Sequence, residues 1–164
     1  MKIAIFFGSI SDKHTMKDST EILKKFNVSY QCYMISAHRL PDILIETIKK
    51  IESNGVELII AGAGLSAHLP GIISSRTTLP VIGVPIYNKE NGSGVLGGLD
   101  SLLSIIQMPK QVPVVSVGVN NSYNAALFAI HILSIKYTNI KKKLIEFRIK
   151  NQKKLQTEIK KHLI

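Results

Sequence analysis

Three short segments carry residue types that can do chemistry, and each follows an apolar run. SAHRLPD (36–42) sets His38 beside Arg39, with Ser36 two residues earlier. An imidazole exchanges a proton near neutral pH. A guanidinium grips phosphate or carboxylate in forked geometry. The pair suits an anionic substrate that meets a proton transfer. A plain polar turn, with His38 bonded to backbone and Arg39 facing water, would use the same residues, although loops at strand ends often carry sites.

FFGSISDKHTM (6–16) offers Gly8 for a tight turn, then Ser9, Ser11 and Asp12 at the entrance to a helix. Free N–H groups at a helix start bind phosphate. Asp12 would repel phosphate at close range, so it suits ribose hydroxyls, or else Ser11 or Asp12 simply caps the helix. AGAGLSAHLPG (61–71) has Gly64, Ala63 and Ser66, small enough for a ligand to approach the backbone, then His68 and Leu69 before Pro70. A glycine-rich turn with a capping histidine would read the same way. It is not GxGxxG, which would follow the first strand. His131 sits in an apolar helical stretch and reads as a core residue, and His162 belongs to the last helix. No pair of histidines or carboxylates has metal-ligand spacing, so no metal is expected.

The elements that position these segments alternate. Apolar runs at 3–7, 29–35, 57–62, 80–85 and 112–119 predict buried strands. Helical patterns fall at 16–26, 42–53, 67–76, 99–107 and 122–137, with Pro41 favouring a helix start. This order predicts an α/β three-layer sandwich, flavodoxin-like or Rossmann-like, with a five-stranded parallel sheet. Ligands in such sheets bind beyond the carboxyl ends of the strands, where all three polar segments lie. A last amphipathic helix carries Leu144, Phe147, Leu155, Ile159 and Leu163 near one stripe. The chain is expected to be one domain, 1–164, with a catalytic body at 1–137 and a basic C-terminal helix at 138–164.

At 164 residues and 45% hydrophobic content the chain can bury a real core. Mean hydropathy is +0.18. The apolar run in MKIAIFFGS is too short for a secretory signal. AALFAIHILSI (125–135) is about half of the ~20 residues a membrane span needs. Cys32 is the only cysteine, which leaves no internal disulfide. A cytoplasmic protein without a membrane partner is expected. Of the formal charge of +10, residues 136–164 supply +8. A basic tail can bind nucleic acid, but no nucleic-acid motif or interleaved aromatics accompany it, so nucleic acid is not the expected partner.

Taken together, the motifs resemble the N5-carboxyaminoimidazole ribonucleotide mutase family of purine biosynthesis (the bacterial-type phosphoribosylaminoimidazole carboxylase catalytic subunit). The resemblance runs through GSISD with Met16, SAHRLP, AGAGLSAHLPG, PVIGVP (80–85), GLDSLLSIIQMP (98–109) and NAALFA (124–129), covering most of 3–135. It implies an isomerase that moves a carboxylate from an exocyclic nitrogen to the ring carbon of an aminoimidazole ribonucleotide. No cofactor is implied. His38 would be the acid and base. Ser9, Asp12 and Arg39 match ribonucleotide-binding positions, with Gly8, Ser11 and Ser36 beside them. The loop 63–69, with Ala63, Gly64, Ser66, His68 and Leu69, would enclose the carboxylate and carbon dioxide. A homo-octamer with pockets near subunit boundaries is implied as well. AHLPG resembles the mutase branch rather than the direct carboxylases. The link 86–98 is longer than the family's usual one, and GVNNSY (118–123) is shorter. The alternatives are a carboxylase using free carbon dioxide, a carboxylase of another heterocycle, a non-enzymatic phosphosugar-binding module, or a nucleic-acid-binding protein built on the lysine-rich end.

Overall fold

In the computed structural model, which describes residues 2–88 and 96–162, the chain divides into two compact units, Met1–Ala129 and Ile130–Ile164. The first unit holds a five-stranded parallel sheet in the order β2-β1-β3-β4-β5, the flavodoxin-like order. Its strands are β1 (Ile3–Phe7), β2 (Tyr30–Met34), β3 (Leu58–Gly64), β4 (Val81–Ile86) and β5 (Val115–Ser116). The helices are α1 (Lys13–Lys25), α2 (Pro41–Ser53), α3 (Leu69–Ser74), α4 (Leu99–Ile106), α5 (Ser122–Lys136) and α6 (Thr138–His162), α5 running across the boundary between the units.

β1, β3 and β4 are buried almost throughout, as their unbroken apolar runs require. Alternate residues serve the two faces. Ala4, Phe6, Ile59, Ala61 and Ala63 pack with Leu44, Ile48 and Ile51 of α2 and with Leu69 and Ile73 of α3. Gly62 sits on the opposite face, where a Cβ would collide with Met16 of α1. That face accepts α1 closely because residue 62 has no side chain.

Two expected strands differ. β2 is not buried: Gln31, Cys32 and Met34 are exposed, because β2 pairs with β1 alone and forms an edge. The run 112–119 yields only two paired residues, matched to Ile82 and Gly83. Pro113 offers no N–H to a ladder, and past the two paired residues β4 is reached by single backbone bonds, from Val117 N–H to Gly83 O at 3.2 Å and from Asn120 N–H to Pro85 O at 2.8 Å. The shortened segment 118–123 is ordered by Asn120, which adopts a left-handed φ of 57°. Its side chain accepts from Tyr87 N–H and donates to Tyr87 O, both at 2.8 Å, so a side chain continues what the ladder lacks. The long link 86–98 lies for the most part outside the described residues.

In the second unit, α6 is a 25-residue helix. Leu144 is buried and Phe147 half-buried, but Leu155 and Ile159 are exposed, so the expected stripe is covered only at its start. Leu163 lies outside the described residues. His131, expected in a core, is exposed; the apolar surroundings in sequence lie along α5, and residue 131 points away from its buried side, Ala126, Ala129, Ile130 and Leu133.

Candidate active site

The sheet register brings the three polar segments together. Phe7 at the end of β1 pairs with Met34 at the end of β2 and with Gly62 in β3, which continues to Gly64 alongside β4. The order reverses between β1 and β3, which opens a crevice there. A cavity of about 220 Å³ occupies it. Gly8, Ser9, Ser11, Asp12, Ser36, His38, Arg39, Ala63, Gly64, Ser66, His68 and Leu69 all line it. Every residue singled out from the three motifs is therefore at one place. Arg39 is the cation among its lining residues, and Asp12 the anion.

The first loop turns back on itself instead of capping α1. Asp12 Oδ2 accepts from Ser9 N–H at 2.9 Å and from Ser9 Oγ at 3.0 Å, and Ser9 Oγ lies 2.6 Å from Ser11 Oγ. Neither Ser11 nor Asp12 caps α1 itself by its side chain; Asp12 instead closes a capping box with Ser9 around the 3-10 turn Ile10–Asp12 that leads into α1. Burial pushes the Asp12 carboxyl above its ordinary 3.8, and its bonds from Ser9 and the Gly8 backbone offset part of that rise.

The second loop is pinned at both ends. Ile35 N–H extends the ladder to Phe7 O at 3.0 Å, and Leu40 N–H closes the turn on Ser36 O at 2.9 Å. Ala37 is buried, while His38 and Arg39 beside it are exposed. α2 then starts at Pro41, as expected. In the third loop, His68 stands between buried Ala67 and Leu69, and its N–H donates to Ser66 O at 2.7 Å. His38 Nε2 and His68 Nδ1 are 2.8 Å apart and the rings meet at 82°. A ring from the second strand's loop thus bonds to a ring from the third's.

Ala37 was not anticipated among the lining residues, and Leu65 lies within the anticipated loop 63–69 without having been singled out. Leu65 holds a left-handed φ of 56° and is half exposed. That conformation is uncommon for a bulky residue and marks a constrained loop. No composition signal announces it, since leucine ordinarily indicates a helix or a core. Gly64, read from the sequence as room for a ligand, has a packing reason as well. A Cβ there would stand 3.0 Å from the Ile86 carbonyl oxygen of β4, so the strands close up only around a glycine. Among the described residues no cluster of three His, Cys, Asp or Glu side chains could hold a metal ion.

A flavodoxin-like sheet with a histidine, an arginine and a glycine-lined wall at its switch point makes this cavity a candidate small-molecule site. The family profile described as AIR carboxylase matches residues 2–154. The chain is 51% identical to the N5-carboxyaminoimidazole ribonucleotide mutase of Pyrococcus horikoshii, over 96% of this chain and 86% of that protein. It is 47% identical to the protein of the same name from Bacillus subtilis, over 89% of this chain and 88% of that one. The phosphoribosylaminoimidazole carboxylase of Schizosaccharomyces pombe is 47% identical over 80% of this chain, which spans 23% of that longer protein. Among solved structures, PurE of Treponema denticola superposes with a TM-score of 0.86 at 24% identity, covering 97% of this chain and 96% of that one, a likeness of fold. The chain belongs to the AIR carboxylase family.

Proposed function

We propose that the protein is an N5-carboxyaminoimidazole ribonucleotide mutase, an isomerase of de novo purine biosynthesis and so of IMP formation. The observation that carries this reading is the likeness along nearly the whole chain to proteins of that name, joined to the convergence of their motifs on one cavity. His38 is the acid and base. It delivers a proton to the exocyclic nitrogen as the nitrogen–carboxyl bond breaks, which leaves the free amine and carbon dioxide. The ring carbon then bonds to the carbon dioxide, and His38 takes the proton that this carbon sheds. Protons and atoms balance, and a single group gives and retakes.

Arg39 holds the phosphate by charge-assisted bonds, aided by Ser9, Ser11 and Ser36 around Gly8. Ser9, Ser36 and Arg39 also face an adjoining cavity of about 520 Å³, room for a nucleotide to extend. Asp12 accepts ribose hydroxyls. Ala63, Gly64, Ser66, His68 and Leu69 form the wall that keeps carbon dioxide beside the ring. The enzyme needs no cofactor, works in the cytoplasm and assembles as a homo-octamer. Exposed apolar side chains on α4, Leu99, Leu103 and Ile106, give subunits a surface to share. The deciding assay compares the N-carboxylated ribonucleotide with the uncarboxylated one plus bicarbonate. Turnover of the first at low bicarbonate supports the mutase. Turnover of the second alone makes the protein a carboxylase.

A further inference from the structure

We infer that His68 is the positioning residue for His38: it accepts the His38 Nε2–H, fixes the ring's tautomer and leaves His38 Nδ1 as the nitrogen that exchanges protons with substrate. The inference rests on the mutase reading above, and deepens it by assigning the reacting atom.

The two rings come from different loops, yet Nε2 of His38 and Nδ1 of His68 stand 2.8 Å apart. That distance holds one proton between two nitrogens. Two directions are open. If His68 donated, His38 would carry its own proton on Nδ1 and accept at Nε2. It could then become a base at Nδ1 only as an imidazolate anion, far from reach in water. If His38 donates, Nδ1 is the nitrogen that carries the working proton: protonated there, His38 gives it to the exocyclic nitrogen, and the lone pair left behind takes the proton from the ring carbon. The ring never has to turn over between the two steps. Only this direction lets one imidazole serve both halves of the reaction.

Protonation strengthens the same contact. A proton added at Nδ1 makes His38 a cation whose Nε2–H donates to neutral His68, a charge-assisted bond. His68 is well placed to hold the ring. Its neighbours Ala67 and Leu69 are buried, and Ile72 N–H bonds to its carbonyl at 2.9 Å at the start of α3. His38 is itself exposed, so the bond to His68 is what restrains its ring. The rings meet edge-on at 82° with their centroids 4.9 Å apart, close to the 2.8 Å nitrogen contact plus the two ring radii, so the two nitrogens face each other.

The test uses the full chain and three variants. Nitrogen-15 NMR of the histidine rings, without substrate, reads the tautomer directly. Wild type should show His38 as Nε2–H and His68 accepting at Nδ1. His68→Leu removes the acceptor and should give mixed His38 tautomers, with kcat lower by about 10²-fold, the scale of a misplaced catalytic group, and KM little changed. His68→Asn puts an amide oxygen near the place of Nδ1 and should recover the tautomer and most of kcat. His68→Gln reaches past that place and should not. Thermal melts check that each variant folds. A wild-type His38 found as Nδ1–H overturns the inference. So does an unchanged tautomer in His68→Leu, a loss confined to KM, or no recovery in His68→Asn. Should wild type turn over no N-carboxylated substrate, the mutase reading falls, while the NMR result still decides the direction of the bond.

Discussion

His38 and Arg39 are adjacent in sequence, and their proposed roles separate cleanly by experiment. His38→Asn removes the exchangeable proton without changing the turn, which Ser36 and Leu40 backbone groups close. We expect turnover to fall about 10²–10⁴-fold, with ligand binding and the thermal midpoint retained. Near-normal turnover would rule out His38 as the acid and base. Arg39→Ala instead removes charge-assisted bonds worth about 1.5–3 kcal/mol. KM should rise about 10–100-fold, and inorganic phosphate should lose its power to compete. If neither changes, the phosphate binds elsewhere. Asp12 makes a pH prediction. Its folded-state value lies above the ordinary 3.8 because burial disfavours the anion. Between those two values the folded chain binds more protons than the unfolded one. Its contribution to stability is therefore full at low pH and is lost as pH rises through the folded value. Relative to wild type, the melting temperature of Asp12→Asn should shift upward as pH is raised from below 3.8 toward neutral. A gap that moves the other way would show that the Ser9 bonds outweigh burial.

At the scale of elements, the site depends on β1 and β2 ending together beside β3 and on β3 lying close against β4. Gly64 is where that closeness is tightest, since a Cβ would press on the backbone oxygen of Ile86. Backbone in a central strand cannot swing aside as a side-chain tip can. Gly64→Ala should cost about 1–3 kcal/mol of stability, in the range of overpacked cores. Turnover should fall with it, because Leu65 to His68 follow directly. Gly71→Ala is the control. There a Cβ would meet only the flexible end of Met108, within α3, where alanine also favours helix. It should melt within a few degrees of wild type. If both variants behaved alike in melts, contact with Ile86 would not be what requires glycine at 64.

For the whole molecule, the +10 charge is concentrated in a segment that also exposes apolar side chains. Ile145, Ile149, Leu155 and Ile159 are all exposed on α6. At about 100° per residue they share one arc of the helix. This arc, rather than the stripe through Phe147, is the exposed apolar surface of α6. Each side chain it buried would contribute roughly 1.5–3 kcal/mol, more than exposed lysine pairs supply. Deleting 141–164 should change the oligomeric state in light scattering or lower solubility. The opposite reading predicts a truncated protein with unchanged assembly, stability and turnover that has lost salt-sensitive binding to random oligonucleotides. That result would make the segment a polyanion-binding arm.

The alternation of apolar runs with helical periodicity was enough to determine the parallel α/β class, because strands buried on both faces must read as unbroken apolar runs. The same alternation placed Gly8, His38 and His68 at strand ends. It also located α2 through Pro41 and the charge in the tail. Residue types alone could say that an imidazole and a guanidinium met an anion, and motif order named the family. Strand order was another matter. That β1 lies between β2 and β3, and so opens the crevice, depends on pairings between residues far apart in the chain. For the same reason β2 proved to be an exposed edge and β5 only two residues long. An apolar pattern does not state how many neighbours a strand has. His131 in a helical apolar stretch, and Leu155 on a nominal stripe, show the same limit on a helix: periodicity assigns a face, not what covers it. The reach of Asp12 back to Ser9 is a local Ser-x-x-Asp capping box, whereas the bond between His38 and His68 and the left-handed turn at Leu65 were decided by tertiary structure alone. Each of these two requires loops from separate strands, or a backbone angle, to be fixed by packing before the side chains can meet.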